Sequence, residues 1–184
     1  MQRITALTVP AVPAASQTIL DATQKAIGMV PNLYRTIAHS PAALAGYTHN
    51  NHALAGGVLP AALREQVALL SAGYNGCDYC ASAHTLIGKG AGLSAAQASE
   101  SLRGRADNAK AQAALDFARA VLTERGKLSD VQLQAVRAAG YSEAEIVEIV
   151  AHVALNVFTN YLNNVATTKI DFPPVSTQDV KLAA

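Results

Sequence analysis

Glu65, Cys77, Cys80 and His84 are the residues of this chain whose types and spacing add up to chemistry. The last three stand in the stretch Cys77-Asp78-Tyr79-Cys80-Ala81-Ser82-Ala83-His84, and eleven residues separate Glu65 from Cys77. On a helix Cys80 and His84 are i, i+4 neighbours, ~5–6 Å apart at Cβ. Cys77 and His84 are seven apart, two turns along the same side. One face therefore carries both sulfurs and the imidazole. Thiolate is the reactive form of cysteine, and a helix N-terminus with a nearby base lowers its pKa below the free value of about 8.5. His84 is placed to take the thiol proton and then to stabilise the thiolate as imidazolium. Glu65, on the preceding helix, is placed to orient the histidine or to pass protons through water. Oxidation of one thiolate to sulfenic acid lets the other cysteine resolve it to a disulfide. A dithiol then reduces that disulfide by exchange.

Competing uses of the same residues are plain. Cys77, Cys80 and His84 are three zinc ligand types, but no fourth ligand and no second C-x-x-C accompany them. An inert local disulfide, or a pair of buried thiols, is the other alternative. Tyr79, inside the motif, is expected to shield the sulfurs or hydrogen-bond near them, and His52 to reach a pocket. His49 reads as a surface or satisfied histidine, and His152 as a core histidine bonded to a carbonyl. Asn156, Asn160, Asn163 and Asn164 read as helix contacts or interface residues in preference to catalysis, and Arg64 as a solvated surface charge.

The elements that must position these groups all read as helices. Half of the chain is hydrophobic (51%), yet only 5% is aromatic, Trp is absent and alanine recurs throughout. Small residues of good helix propensity favour close-packed helices over a sandwich, and strand signals are confined to weak ones at Ile4 to Val9. An extended lead over 1–15 precedes a helix from Ser16, its cap, to Gly28. Short helical pieces follow at Asn32 to His39 and Ala42 to Leu54. A helix from Pro60 runs through Leu70 until Gly73-Tyr74-Asn75-Gly76 interrupts it. The next starts near Cys77 and continues to Ile87. Ser94 to Arg103, Asn108 to Arg125, Ser129 to Ala139 and Ser142 to about Thr167 complete the set. In the last of these, Val147, Val150, Ala151, Ala154, Val157, Phe158, Tyr161 and Leu162 are expected to form the buried face. Residues 171–184 read as a tail, and the whole of 1–184 as one all-α domain.

Charge and compartment narrow the function further. A net charge of +1 gives no reason to invoke nucleic acid or an acidic membrane surface. Prolines at 10 and 13 break any apolar leader, and no membrane-span run of ~18 apolar residues occurs. The expectation is a cytoplasmic protein, where two cysteines three residues apart serve catalysis or metal binding rather than as a staple. Charged residues make up 15% of the chain against a usual ~25%, a composition that suits subunits sharing apolar surface.

At these residues the sequence resembles the alkyl hydroperoxidase D family within the carboxymuconolactone decarboxylase-like superfamily. The resemblance is strongest from Leu63 to Gly92. It extends upstream through Gly28-Met29-Val30-Pro31-Asn32-Leu33, which is similar to the lead of the peroxidase-related branch. It implies an all-α bundle assembled as a trimer or hexamer. It also implies hydroperoxide reduction through a Cys77–Cys80 disulfide, with an external dithiol or lipoyl-type reductant and no bound cofactor or metal. Cys80 would be the peroxide-attacking thiol, Cys77 the resolving one, and His84 and Glu65 the proton relay. The best-studied branch has histidine just before the second cysteine; Tyr79 stands there instead, which implies a shorter or water-mediated relay. A decarboxylase of the muconolactone type and a non-catalytic redox-sensing oligomer are the other functions the resemblance allows.

Overall fold

The computed structural model describes residues 1–182, and every regular element among them is a helix. In chain order these are α1 (Ala14–Ile27), α2 (Asn32–Ile37), α3 (Pro41–Ala55), α4 (Ala61–Asn75), α5 (Asp78–Gly90), α6 (Ala95–Leu102), α7 (Ala109–Thr123), α8 (Asp130–Ala138) and α9 (Glu143–Ala166). The boundaries follow local chemistry. Ser40, Ser94, Asn108, Ser129 and Ser142 each accept a backbone N–H of the first turn they cap, three of them within capping boxes. Gly76 closes α4 at φ +62°, a left-handed conformation that other residues adopt only at a cost.

Two expected boundaries shift. Helix α1 starts at Ala14, capped by Pro13, and Ser16 lies inside it with its hydroxyl bonded to the Ala38 carbonyl at 2.9 Å. Gly73 does not interrupt α4; the helix continues to Asn75. The reason is packing. A Cβ at Gly73 would collide with the backbone oxygen of Leu102 at the end of α6. Gly73 is therefore the point where α6 closes on α4. In an exposed helix, Gly→Ala gains about 1 kcal/mol. At Gly73 the sign should reverse, with Gly73→Ala costing about 1–3 kcal/mol in denaturant unfolding.

Helix α4 is the hub, packed against α5, α6, α7 and α9. Its Leu63, Val67 and Leu70 face a cluster with Leu115 and Ala118 of α7, Val136 of α8, and Ile149 and Val153 of α9. Its Leu69 and Ala72 face a second cluster with Leu20, Leu33, Ile37, Leu44 and Leu102, and this one encloses Cys77, Tyr79 and Cys80. The approach to α4 is held from two sides. Glu148 of α9 accepts the Val58 and Leu59 N–H groups. Arg64 donates to the Ala55 and Leu59 carbonyls at 2.8 and 3.2 Å, and so staples α3 to α4 rather than standing free in solvent.

The orientation of α9 corrects the sequence expectation. Val147, Val150, Phe158 and Tyr161, expected inside, are exposed in the chain, as is Val165. The buried face carries Ile146, Ile149, Val153 and Leu155, and then a polar run of His152, Asn156, Thr159, Asn160 and Asn163. Val157 and Leu162 of the expected face do pack, partly buried, against the core, and apolar periodicity misplaced the exposed members. Within the polar run Asn163 reaches Cys80 of α5 and Asn160 reaches Asn75 of α4.

The C-terminal segment is likewise more than a tail. Asp171 accepts the Asn32 N–H, Val175 N–H donates to the Ser82 hydroxyl, and Thr177 donates through both backbone and side chain to Asp78. The segment straps the first turn of α5.

Candidate active site

Three helices meet at the sulfurs. Cys77 is the N-cap of α5 and its Sγ accepts the Cys80 N–H at 3.2 Å, so the helix starts at the sulfur itself. Helical N–H groups and the helix dipole favour negative charge there. Cys77 and Cys80 are joined as a disulfide, with Cα atoms 5.3 Å apart. Both are buried, at 0% and 3% exposure.

One turn along α5, His84 meets Glu65 of α4: Nδ1 lies 2.8 Å from Oε2. Their side chains are 24% and 15% exposed, so the pair sits at the rim of the buried sulfurs. A carboxylate only accepts, so Nδ1 carries the hydrogen and Nε2 is left as the basic nitrogen. Gly88 makes this approach possible. A Cβ there would meet Leu93 Cδ1 at 3.0 Å and Glu65 Cβ at 3.6 Å, so α5 and α4 close together beside the dyad. The four residues selected by spacing are thus arranged as a thiol pair at a helix N-terminus and a carboxylate–imidazole pair one turn away.

The remaining expected residues separate. Tyr79 is buried; its hydroxyl accepts the Leu33 N–H at 3.0 Å and its ring packs edge-on against Phe172. Burial pushes its phenol pKa far up, with Asp171 adding to the rise, so it stays neutral. It ties α5 to α2 and to the C-terminal strap. His52 is exposed on α3, among the last residues of that helix. Neither is bonded to the sulfurs or the dyad. One concavity of about 490 Å³ lies between α7 and α8, away from the cysteines. Another, about 310 Å³ between α3 and α9, is lined by Tyr47, Leu155 and Phe158. Burial raises the Tyr47 pKa well above the usual range, and Glu65 is among the charges it feels.

Helix α9 supplies what the sequence reading passed over. Asn163 Nδ2 donates to Cys80 Sγ at 3.3 Å. Asn160 Oδ1 accepts from Asn75 Nδ2 at 2.9 Å, and Asn156 Nδ2 donates to the His152 carbonyl at 2.8 Å. His152 Nε2, Asn160 Nδ2 and Asn163 Oδ1 are buried without a partner. The expected carbonyl bond of the His152 ring is therefore absent at Nε2. The available signal was the His152, Asn156, Asn160, Asn163 spacing, which puts four polar side chains on one face of a helix.

His152 carries a prediction. Burial lowers its pKa, and the facing charges follow in order: Arg64 lowers it, Glu148 and Glu65 raise it, His84 lowers it. The folded state thus binds this proton more weakly than the unfolded chain does. The two states differ only below the unfolded value of about 6.5, where the unfolded chain takes up a proton that the folded one resists. The resulting loss of stability grows as pH falls. Urea midpoints at pH 7.5 and 5.5 should differ less in His152→Gln than in the parent.

Known proteins share this fold. Residues 41–124, which include Glu65, both cysteines and His84, match the Carboxymuconolactone decarboxylase family. The fold of the chain over nearly its whole length is alkylhydroperoxidase D-like. A peroxidase-related protein of Ralstonia eutropha JMP134 with the alkylhydroperoxidase AhpD core superposes with a TM-score of 0.82 at 24% identity, covering 93% of this chain and 94% of that one. A peroxidase-related protein of Silicibacter sp. TM1040 gives 0.78 at 21%, covering 98% and 96%. The debrominase Bmp8 gives 0.75 at 23%, covering 91% of each chain. A variant of that debrominase has been solved in complex with 2,3,4-tribromopyrrole. No curated protein sequence matches. The family segment ends before α9, so His152 and Asn163 lie outside it.

Proposed function

We propose that this alkylhydroperoxidase D-like chain is a thiol peroxidase that reduces hydroperoxides through Cys77 and Cys80. The single observation that carries the reading is the pairing of a Cys77–Cys80 disulfide at the α5 N-terminus with the 2.8 Å Glu65–His84 contact one turn away. In the reduced protein, Cys80 thiolate attacks the terminal oxygen of ROOH. The O–O bond breaks, an S–O bond forms, and RO⁻ leaves as ROH with a proton from the His84 imidazolium. Cys77 then displaces the sulfenic hydroxyl as water and forms the disulfide. A dithiol returns both cysteines to thiols by exchange and leaves as its own disulfide. The cycle uses no metal or organic cofactor.

The exposed apolar residues of α9, Val147, Val150, Phe158, Tyr161 and Val165, support a homo-oligomer, trimer or hexamer, in which a second copy covers them. Among the described residues no helix is long and apolar enough to cross a membrane. The reading keeps the protein cytoplasmic, where thiol reductants are at hand.

The test is consumption of an organic hydroperoxide with dihydrolipoamide as reductant, with the parent compared to a variant carrying Cys77→Ser and Cys80→Ser. Turnover in the parent and none in the variant is expected. A decarboxylase of the kind for which the matched family is named uses no thiol pair. Activity on a carboxymuconolactone that survives loss of both cysteines would replace the peroxidase reading with that one.

A further inference from the structure

Asn163 stands outside the family segment, yet it touches a reacting atom. Its amide nitrogen donates to Cys80 Sγ at 3.3 Å, and its carbonyl oxygen is buried with no partner. The side chain is nine-tenths buried or more, at 3% exposure. The assignment of its two ends follows from the sulfur. A disulfide sulfur carries no hydrogen, so only the NH₂ end of the amide can bond to it. The contact grows stronger on reduction, because a thiolate is a charged acceptor where the disulfide is a neutral, weak one. The oxygen left over is an acceptor fixed beside the same sulfur and held away from water.

We infer that Asn163 is a catalytic residue that grips both reactants, its Nδ2 holding Cys80 as thiolate and its Oδ1 accepting the O–H of the incoming hydroperoxide. This rests on the peroxidase reading and gives that site its substrate contact. The hydroperoxide's terminal oxygen bears the hydrogen and is the atom that sulfur attacks. A hydrogen bond from that O–H to Oδ1 brings the oxygen to Sγ with its hydrogen turned aside. Balance is kept: the S–O bond forms, the O–O bond breaks, and the hydrogen on the attacked oxygen stays with it. The product Cys80–SOH donates to the same Oδ1, so the acceptor is filled before and after the step. A buried acceptor that stays unpartnered is costly, and this placement removes the cost only when an O–H is present. The site therefore selects hydroperoxides, which carry that hydrogen, over other electrophiles.

The experiment uses full-length protein in a Cys77→Ser background, so that Cys80 is the remaining thiol. Two second-order rates are measured at pH 7. Alkylation by iodoacetamide reports the thiolate alone, and oxidation by cumene hydroperoxide reports thiolate plus substrate contact. Asn163→Ala is expected to move the pH profile of alkylation up by roughly one unit, which slows alkylation at pH 7 by up to about tenfold. It should slow oxidation about a further tenfold, the loss of one more hydrogen bond. Asn163→Asp keeps the side chain's size and replaces the donor by a carboxylate, so alkylation should be at least as slow as in Asn163→Ala. It serves where the alanine variant does not fold. An unchanged alkylation profile in both variants overturns the thiolate contact, and equal slowing of the two rates in Asn163→Ala, which removes Oδ1, overturns the substrate contact. The peroxidase reading fails separately, if parental Cys80 alkylates readily yet ignores the hydroperoxide. In that case the alkylation comparison still decides the role of Nδ2.

Discussion

Cys80→Ser should lower steady-state hydroperoxide consumption by ~10³-fold or more, the scale on which enzymes lose activity without their nucleophile. A serine hydroxyl at this position keeps the size of the side chain and the Asn163 contact, but it is not appreciably ionised near neutral pH. The dyad that suffices for a thiol does not activate it to comparable nucleophilicity. Cys77→Ser should behave differently. Its first oxidation step remains, so one equivalent of hydroperoxide is consumed in a burst, after which the protein stops as Cys80 sulfenic acid. The asymmetry tests the order of events, since a burst from Cys80→Ser and none from Cys77→Ser would exchange the two roles. Neither substitution should unfold the chain. A serine in place of Cys77 remains a good N-cap, and in the reduced protein the pair contributes no covalent loop closure.

Removal of the imidazole is the second large effect. His84→Gln should cost ~10²–10⁴ in the rate of thiol oxidation, the usual range for a lost general acid–base group, or about 2.7–5.4 kcal/mol of barrier. Both halves of the step depend on it, because the same nitrogen takes the thiol proton and returns one to the departing alkoxide. Glu65→Gln should cost less, ~10–10²-fold, as expected for a group that acts by orienting another. The substituted amide still offers an oxygen to Nδ1–H of His84, but it no longer opposes the charge of the imidazolium. The loss should therefore appear in the maximal oxidation rate while the affinity for hydroperoxide holds. A stopped-flow rate of thiol loss in His84→Gln equal to that of the parent would remove the dyad from the mechanism.

The sequence was most legible where spacing and geometry say the same thing. Cys80 and His84 share a helical face at any reasonable helix start, and Glu65 needed only an antiparallel neighbour to arrive beside them. Helix starts marked by Ser94, Ser129 and Ser142 were equally plain, because a side-chain cap is a local event. What stayed hidden depends on partners distant in the chain. Gly73 reads as a helix breaker until Leu102, on another helix, explains it. The proline-rich run after Asp171 reads as a tail until Thr177 meets Asp78. Helix α9 misled in the most instructive way. Its apolar residues at helical spacing signal burial, yet Phe158 and Tyr161 are exposed while Asn160 and Asn163 lie inside. The rule that apolar faces turn inward fails where the interior offers polar partners, Cys80 to Asn163 and Asn75 to Asn160. The same failure leads to Asn163.

Mass spectrometry of the intact protein and of its peptide spanning residues 77 to 84 tests the central claim most directly. The reduced protein would be treated with one equivalent of cumene hydroperoxide and then with dihydrolipoamide. The account predicts loss of two hydrogens, with the new bond between Cys77 and Cys80, and their return after the dithiol. Thiols that remain reduced after the hydroperoxide, or a disulfide that the dithiol leaves untouched, would contradict it.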